Sequence, residues 1–323
     1  MLGRCNISKA LVLSGGGARG CFQAGAVAAL ASWGYSFDVI CGVSTGALSA
    51  VMLAESKDLK AQSAKLLSLY QGITGNSSVY TNRFLGTPGL LVQSSIYDPS
   101  PIFHELAMQV DPKAVALNGV LFRCGVTNLD QGIYATVTEK TDRLLDYVRA
   151  SASMPCFFPN VVINKDHWCD GGVVHQTPLD EGFKALADLR KASPSSGEAA
   201  MANADEMVVV LCDPVPVGGI ALSSYGTGLK ILPRVVDIMT WNKYTADLAN
   251  ACLANNAALA GQHRKTASGR VQQYVKLSVI APDTALPGDT LSFKPADLDA
   301  GIALGKSAQV HDQAWLATRL GLA

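Results

Sequence analysis

Gly42-Val43-Ser44-Thr45-Gly46 sets a hydroxyl between two glycines, after the run Asp38-Val39-Ile40-Cys41 and before Ala47-Leu48-Ser49-Ala50-Val51. Gly-x-Ser-x-Gly between a strand and a helix forms an elbow from which the serine oxygen projects. At a helix N-terminus the dipole also favours an alkoxide developing on that oxygen. Ser44 therefore reads as a nucleophile. The competing reading is a serine that only caps the following helix.

Upstream, Gly15-Gly16-Gly17-Ala18-Arg19-Gly20 follows a short apolar run and opens a helical pattern. It satisfies the Gly-x-Gly-x-x-Gly dinucleotide fingerprint, which calls for an acidic residue about 20 positions on, at the end of the second strand. Asp38 has the spacing but precedes its strand, the wrong end for a ribose contact. A nucleotide-binding domain using Gly15 to Gly20 is the alternative reading. The other use of such a loop is to expose successive backbone N–H groups toward the oxyanion of a tetrahedral acyl intermediate. Gly15, Gly16 and Gly17 are the candidate donors. A serine also needs a base. The five histidines, His104, His167, His175, His263 and His311, have no context that marks a catalytic loop. The acid that stands out is Asp170, in Trp168-Cys169-Asp170-Gly171-Gly172-Val173, where the glycines allow close backbone approach; a plain Asp-Gly-Gly turn is the alternative.

Taken in order, Gly15–Gly20, Gly42–Gly46 and Asp170-Gly171-Gly172 resemble the three motifs of the patatin-like phospholipase family. Arg149-Ala150-Ser151-Ala152-Ser153-Met154-Pro155-Cys156-Phe157-Phe158-Pro159 is similar to the family's block before its aspartate, and Ile96-Tyr97-Asp98-Pro99-Ser100-Pro101 to a weaker segment. The resemblance covers residues 9–182, and residues 183–323 are expected to complete the same domain. It implies an α/β three-layer sandwich, with a mainly parallel central sheet and helices on both faces. It also implies a Ser44–Asp170 dyad without histidine, an oxyanion hole at Gly15, Gly16 and Gly17, and cleavage of phospholipid or related lipid esters through an acyl-enzyme. No cofactor and no metal are implied, calcium included. Arg19, Gly20, Gly42, Gly46, Gly171 and Gly172 are the remaining motif positions. Arg19 either contacts lipid phosphate or braces the loop. A catalytically idle module that keeps the fold is a further alternative.

The elements that must hold these residues alternate in type. Ala10–Leu13 and Asp38–Cys41 read as strands, Cys21–Trp33 and Ala47–Lys57 as helices, the pattern of a parallel sheet with helices on its faces. Asn76–Pro101 is a long loop bearing Leu90, Leu91 and Val92, either a binding loop or a packed surface loop. Val120–Val126 and Gly132–Val137 read as paired strands, Val161–Ile163, Met207–Cys212 and Val271–Ala281 as further strands. Ser193–Asp205 reads as a linker, and Pro233–Gln262 and Pro295–Leu320 as helices.

Composition excludes several classes. Of 323 residues, 49% are hydrophobic and 16% charged, enough to build a core. Lys plus Arg and Asp plus Glu are both 26, leaving a net charge of zero, which argues against a nucleic-acid partner. Membrane contact is expected to be peripheral and transient, driven by apolar loop residues. The eight cysteines form no Cys-x-x-Cys pair. They read as buried thiols in a reducing compartment. No signal-peptide pattern opens the chain and no run of 18 apolar residues occurs, so a cytoplasmic location is expected.

Overall fold

The computed structural model describes residues 7–84, 86–190, 195–215, 228–266 and 269–322, with backbone alone for 228–237. The first elements are β1 (Lys9–Leu13), α1 (Gly20–Ser32), β2 (Val39–Gly42), α2 (Thr45–Leu53) and α3 (Leu59–Gln71). Next comes a small antiparallel pair, β3 (Thr81–Asn82) and β4 (Tyr97–Asp98), then α4 (Ser100–Gln109) and α5 (Pro112–Leu117). The middle contains β5 (Leu121–Asn128), β6 (Ile133–Thr138), α6 (Leu144–Ser151), β7 (Val161–Ile163), β8 (Asp166–Asp170) and α7 (Leu179–Leu189). The remainder is α8 (Gly197–Ala202), β9 (Asp205–Val210), α9 (Gly228–Leu259), β10 (Val275–Ile280), α10 (Pro295–Ser307), β11 (His311–Asp312) and α11 (Gln313–Arg319). No helix among the described residues is long and apolar enough to cross a membrane.

The central sheet runs β11-β10-β9-β1-β2-β5-β8-β7, with β6 paired to β5. Its middle, from β10 to β5, is parallel; β6, β7, β8 and β11 are antiparallel additions at the flanks. Strand alternation explains the layers. Leu11 and Leu13 enter one core with Phe22 and Leu30 of α1 and Val51 of α2. Ala10 and Val12 enter the other with Phe183 of α7 and Tyr244 and Leu248 of α9. Both sheet faces are therefore covered, giving the expected three-layer α/β arrangement.

One pairing detail positions the site. β6 occupies one edge of β5 along Arg123–Asn128. On the opposite edge β2 pairs through Leu121–Cys124 and β8 through Val126–Asn128. Gly42 thus faces Cys124, and Asp170 faces Val126, on either side of Gly125. The end of β2 and the end of β8 meet there.

Several expected elements differ in detail. Residues 166–170, not anticipated as a strand, form β8, because its edge continues the ladder that β2 leaves. The helix expected over 295–320 is broken: Ala308–Val310 run on from α10, His311–Asp312 pair with β10, and Asp312 then caps α11 by accepting from Trp315 N–H. Within the expected linker, Gly197–Ala202 is helical, and residues 193–194 lie outside the described residues. The strand expected from Val271 begins at Val275, and the long helix spans Gly228–Leu259. Six of the described cysteines are buried and Cys156 is exposed; Cys5 lies outside the described residues.

α1 and α10 cross closely because glycines meet there. A Cβ on Gly25 would lie 2.1 Å from the Ile302 carbonyl oxygen, and one on Gly305 2.1 Å from that of Phe22. Overpacking a contact with no space destabilises by about 1–3 kcal/mol or more. Gly25→Val is expected to lower the unfolding free energy by an amount in that range, and with it the urea midpoint, read by circular dichroism. A parent-like midpoint would mean that α10 does not dock on α1 this closely.

Candidate active site

Ser44 sits where β2 ends and α2 begins, with φ 58° and ψ −128°. A non-glycine residue in this region is strained, by about 1–3 kcal/mol, and persists only where its surroundings enforce it. The enforcement is visible. A Cβ on Gly42 would lie 2.1 Å from the Gly46 carbonyl oxygen, and one on Gly46 2.4 Å from that of Leu13. The Ser44 N–H donates to Ser151 Oγ at 3.1 Å, and Ser151 Oγ donates to the Gly125 carbonyl at 2.7 Å. Although Ser44 occupies the N-cap position of α2, its side chain makes no capping hydrogen bond. The hydroxyl is left for something else.

Asp170 ends β8 and has no exposed surface. Its Oδ1 accepts from Gly172 N–H at 2.7 Å, and its own N–H donates to the Ser153 carbonyl at 3.1 Å. Oδ2 is buried without a well-formed hydrogen bond among the described residues. Burial pushes the carboxyl up from its ordinary 3.8 to about 7, against the opposing pull of the neighbouring Ser44 hydroxyl, the Gly172 N–H and the Lys243 charge. A carboxylate near neutrality beside a serine hydroxyl is suited to general-base work, and such contacts tighten when substrate binds. Gly171 has to be bare, since a Cβ there would come 2.3 Å from the Gly125 carbonyl oxygen.

The glycine loop lies against the elbow. A Cβ on Gly15 would fall 3.1 Å from Ser44 Cβ. However, the Gly15 N–H donates to the Gln176 carbonyl at 2.9 Å. This corrects the expectation for Gly15, whose N–H is already taken; among the described residues the Gly16 and Gly17 N–H groups have no such backbone partner. Gly17 has φ +58°, and its Cβ would strike the Thr290 carbonyl oxygen at 2.0 Å. Gly20 clears the Thr45–Tyr70 hydroxyl pair, which is 3.1 Å apart. Arg19 is ion-paired to Asp213, at the end of the β9 segment, and is mostly buried, so it braces the loop. Asp38 accepts from Lys9 N–H at 3.0 Å. It therefore sits at the opposite end of β1 from the glycines, which removes the ribose contact a nucleotide site would need.

The sequence around this site has known relatives. Residues 11–183 match the family model described as patatin-like phospholipase. The chain belongs to the patatin-like phospholipase family. The rat patatin-like phospholipase domain-containing protein 7 is 30% identical over an alignment of 188 residues that covers 53% of this chain and 12% of that protein. The mouse protein of the same name is 31% identical over 180 residues, again 53% and 12%. Among solved structures, VipD from Legionella pneumophila aligns at 13% identity over 95% of this chain and 68% of its own, TM-score 0.35. ExoU of Pseudomonas aeruginosa, solved with SpcU, gives 16%, 74%, 50% and a TM-score of 0.32.

In this patatin-like chain no histidine hydrogen-bonds Ser44 or Asp170 among the described residues. His167 pairs with Asp130 on the surface, and His175 with Asp247. Residues that the motif reading did not single out complete the site. Ser151 and Ser153 lie within the quoted 149–159 block; their alternation on one short segment was the available signal. Gln176 reaches both loops: its amide nitrogen lies 2.5 Å from a Cβ built on Gly15, and its amide oxygen 2.4 Å from one on Gly172. Lys243 of α9, partly buried, has its ammonium pKa lowered by that burial while Asp170 and Asp247 oppose the shift.

The raised Asp170 pKa has a stability consequence. Between about pH 4 and 7 the unfolded chain ionises here while the folded chain keeps its proton. Stability therefore falls as pH rises through that window, and the loss is complete above about 7. Asp170→Asn is expected to melt higher than the parent at about pH 8, with the difference vanishing near pH 3.5. A variant that melts at or below the parent at pH 8 would show that the carboxyl is well solvated.

Proposed function

We propose that this chain is a serine acyl hydrolase that cleaves carboxylic esters of phospholipids or related lipids. The observation that carries the reading is the strained, uncapped Ser44 beside a fully buried Asp170 whose Oδ2 has no formed bond among the described residues. Ser44 Oγ attacks the ester carbonyl carbon while Asp170 takes its proton. The resulting oxyanion is held by Gly16 and Gly17 N–H, and the dipole of α2 favours the developing alkoxide. Collapse expels the alcohol, which takes the proton from Asp170, and leaves an acyl group on Ser44. Water then attacks with Asp170 again as base, restoring the serine. An alcohol in place of water would make the product a new ester.

Ser44→Ala is expected to abolish hydrolysis of a p-nitrophenyl ester, by at least ~1,000-fold, and Asp170→Asn to lose about as much because the pair acts as a unit. Parent turnover should rise with pH around a midpoint of about 7, since the base must be ionised. A fluorophosphonate should label the parent on Ser44. A folded Ser44→Ala with parent turnover ends this reading, and a folded but unlabelled parent favours the idle module.

The reading includes a cytoplasmic enzyme that meets a lipid surface transiently through the loop between β3 and β4. Phe84, Leu91 and Val92 there are 85%, 92% and 77% exposed. The base of the loop is hydrogen-bonded to the block that holds both catalytic candidates, Ile96 N–H to the Cys156 carbonyl and Tyr97 N–H to that of Phe157. Leu91→Asp with Val92→Asp is expected to reduce co-flotation with phosphatidylcholine liposomes several-fold at any salt, while soluble-ester turnover is kept. Unchanged flotation would place the membrane contact elsewhere.

A further inference from the structure

The N–H of Gly15 is held by the Gln176 carbonyl, so the place of the glycine loop depends on where residue 176 sits. Residue 176 is in turn held by a residue far along the chain. Asp247 of α9, 9% exposed, directs Oδ2 at two consecutive backbone N–H groups, Gln176 at 2.8 Å and Thr177 at 3.0 Å. Its Oδ1 meets His175 Nδ1 at 2.8 Å. Three neighbouring groups of one turn thus converge on one carboxylate. That turn follows Asp170-Gly171-Gly172 by three residues, and the Gln176 side chain lies between Gly15 and Gly172. His175 is fixed from a second side by the edge of the Tyr134 ring, 4.8 Å between centroids at 89°.

We propose that Asp247 is a positioning residue for the oxyanion loop, acting through the 175–177 turn it clamps and the Gln176 carbonyl that fixes Gly15. The proposal rests on the acyl-hydrolase reading of the site. A carboxylate oxygen that accepts two adjacent backbone N–H bonds sets the height and tilt of the peptide between them. Donor N–H groups have to lie within a few tenths of an ångström of the oxyanion to be fully effective. A shift of the turn therefore carries Gly15, and with it the Gly16 and Gly17 donors, off their target. The effect falls on turnover and spares ground-state ester binding, because the oxyanion exists only after attack.

The reading separates geometry from charge. Asp247→Asn keeps an oxygen where Oδ2 is, able to accept both backbone bonds. Asp247→Glu keeps the charge but moves the oxygens by one methylene. With a soluble p-nitrophenyl ester, kcat is expected within about threefold of the parent for Asn and at least tenfold lower for Glu, with KM within twofold for both. Asp247→Ala, where it folds, should behave as Glu does. Amide hydrogen exchange gives a second readout that needs no activity. The peptide containing Gly15–Gly17 should exchange at the parent rate in Asn and at least tenfold faster in Glu. Asn as impaired as Glu, or Glu at parent kcat with a protected loop, overturns the proposal. A parent chain without esterase activity whose loop exchange still follows this order would instead remove the acyl-hydrolase reading and leave the clamp standing.

Discussion

Asp170 is a carboxylate with no exposed surface, next to Ser44, with one oxygen left without a formed bond among the described residues. Isolated buried charge is among the most costly things a fold can contain, and it is tolerated only where surrounding groups meet it or its pKa yields. Here both happen. Gly172 N–H satisfies one oxygen, the nearby Lys243 charge opposes desolvation, and the pKa still settles near 7. In the proposed reaction that residual cost is useful, because a carboxylate satisfied on all sides would be a poor base.

The meeting of the two groups follows from the sheet. A parallel strand and an antiparallel strand share one edge of β5, end to end, and the ends of β2 and β8 fall on either side of Gly125. The Gly125 carbonyl then accepts from Ser151, which accepts from Ser44 N–H. The next residue, Val126, pairs with Asp170. A single stretch of β5 therefore registers Ser44 and Asp170 against each other. The strain at Ser44 is sustained because Gly42, Gly46 and Leu13 leave the chain no relaxed path between strand and helix.

What was readable from sequence divides along contact range. The strand–elbow–helix at Ser44 and the glycine loop are local patterns, coded within about ten residues by apolar runs and glycines, and they stand where the periodicity puts them. β8 was not readable, because Asp-His-Trp-Cys-Asp has no alternation and is a strand only through the free edge of β5. The committed Gly15 N–H was equally hidden, since its acceptor belongs to Gln176, which no motif marks. Asp247 did leave a trace. It lies in a helix between Tyr244 and Leu248, both buried, and a carboxylate among such neighbours needs donors from elsewhere. Nothing local says which donors.

The family match ends at residue 183, yet the geometry of the matched loops depends on residues beyond it. Ala18 N–H donates to the Thr290 carbonyl at 2.8 Å, and that carbonyl closes over Gly17. Arg19 pairs with Asp213, whose carbonyl accepts from Tyr244 Oη at 2.8 Å. Tyr80, near the apolar loop, donates to the Leu291 carbonyl at 2.5 Å. Loops rich in glycine have little conformational preference of their own, so their shape has to be imposed from outside. In this chain it is imposed by backbone carbonyls and carboxylates of the less motif-rich half, which carries no motif because a carbonyl acceptor can come from any residue type. The shape of the glycine loop is therefore set by residues that no motif marks, Thr290 and Asp213 beyond the matched region and Gln176 near its end.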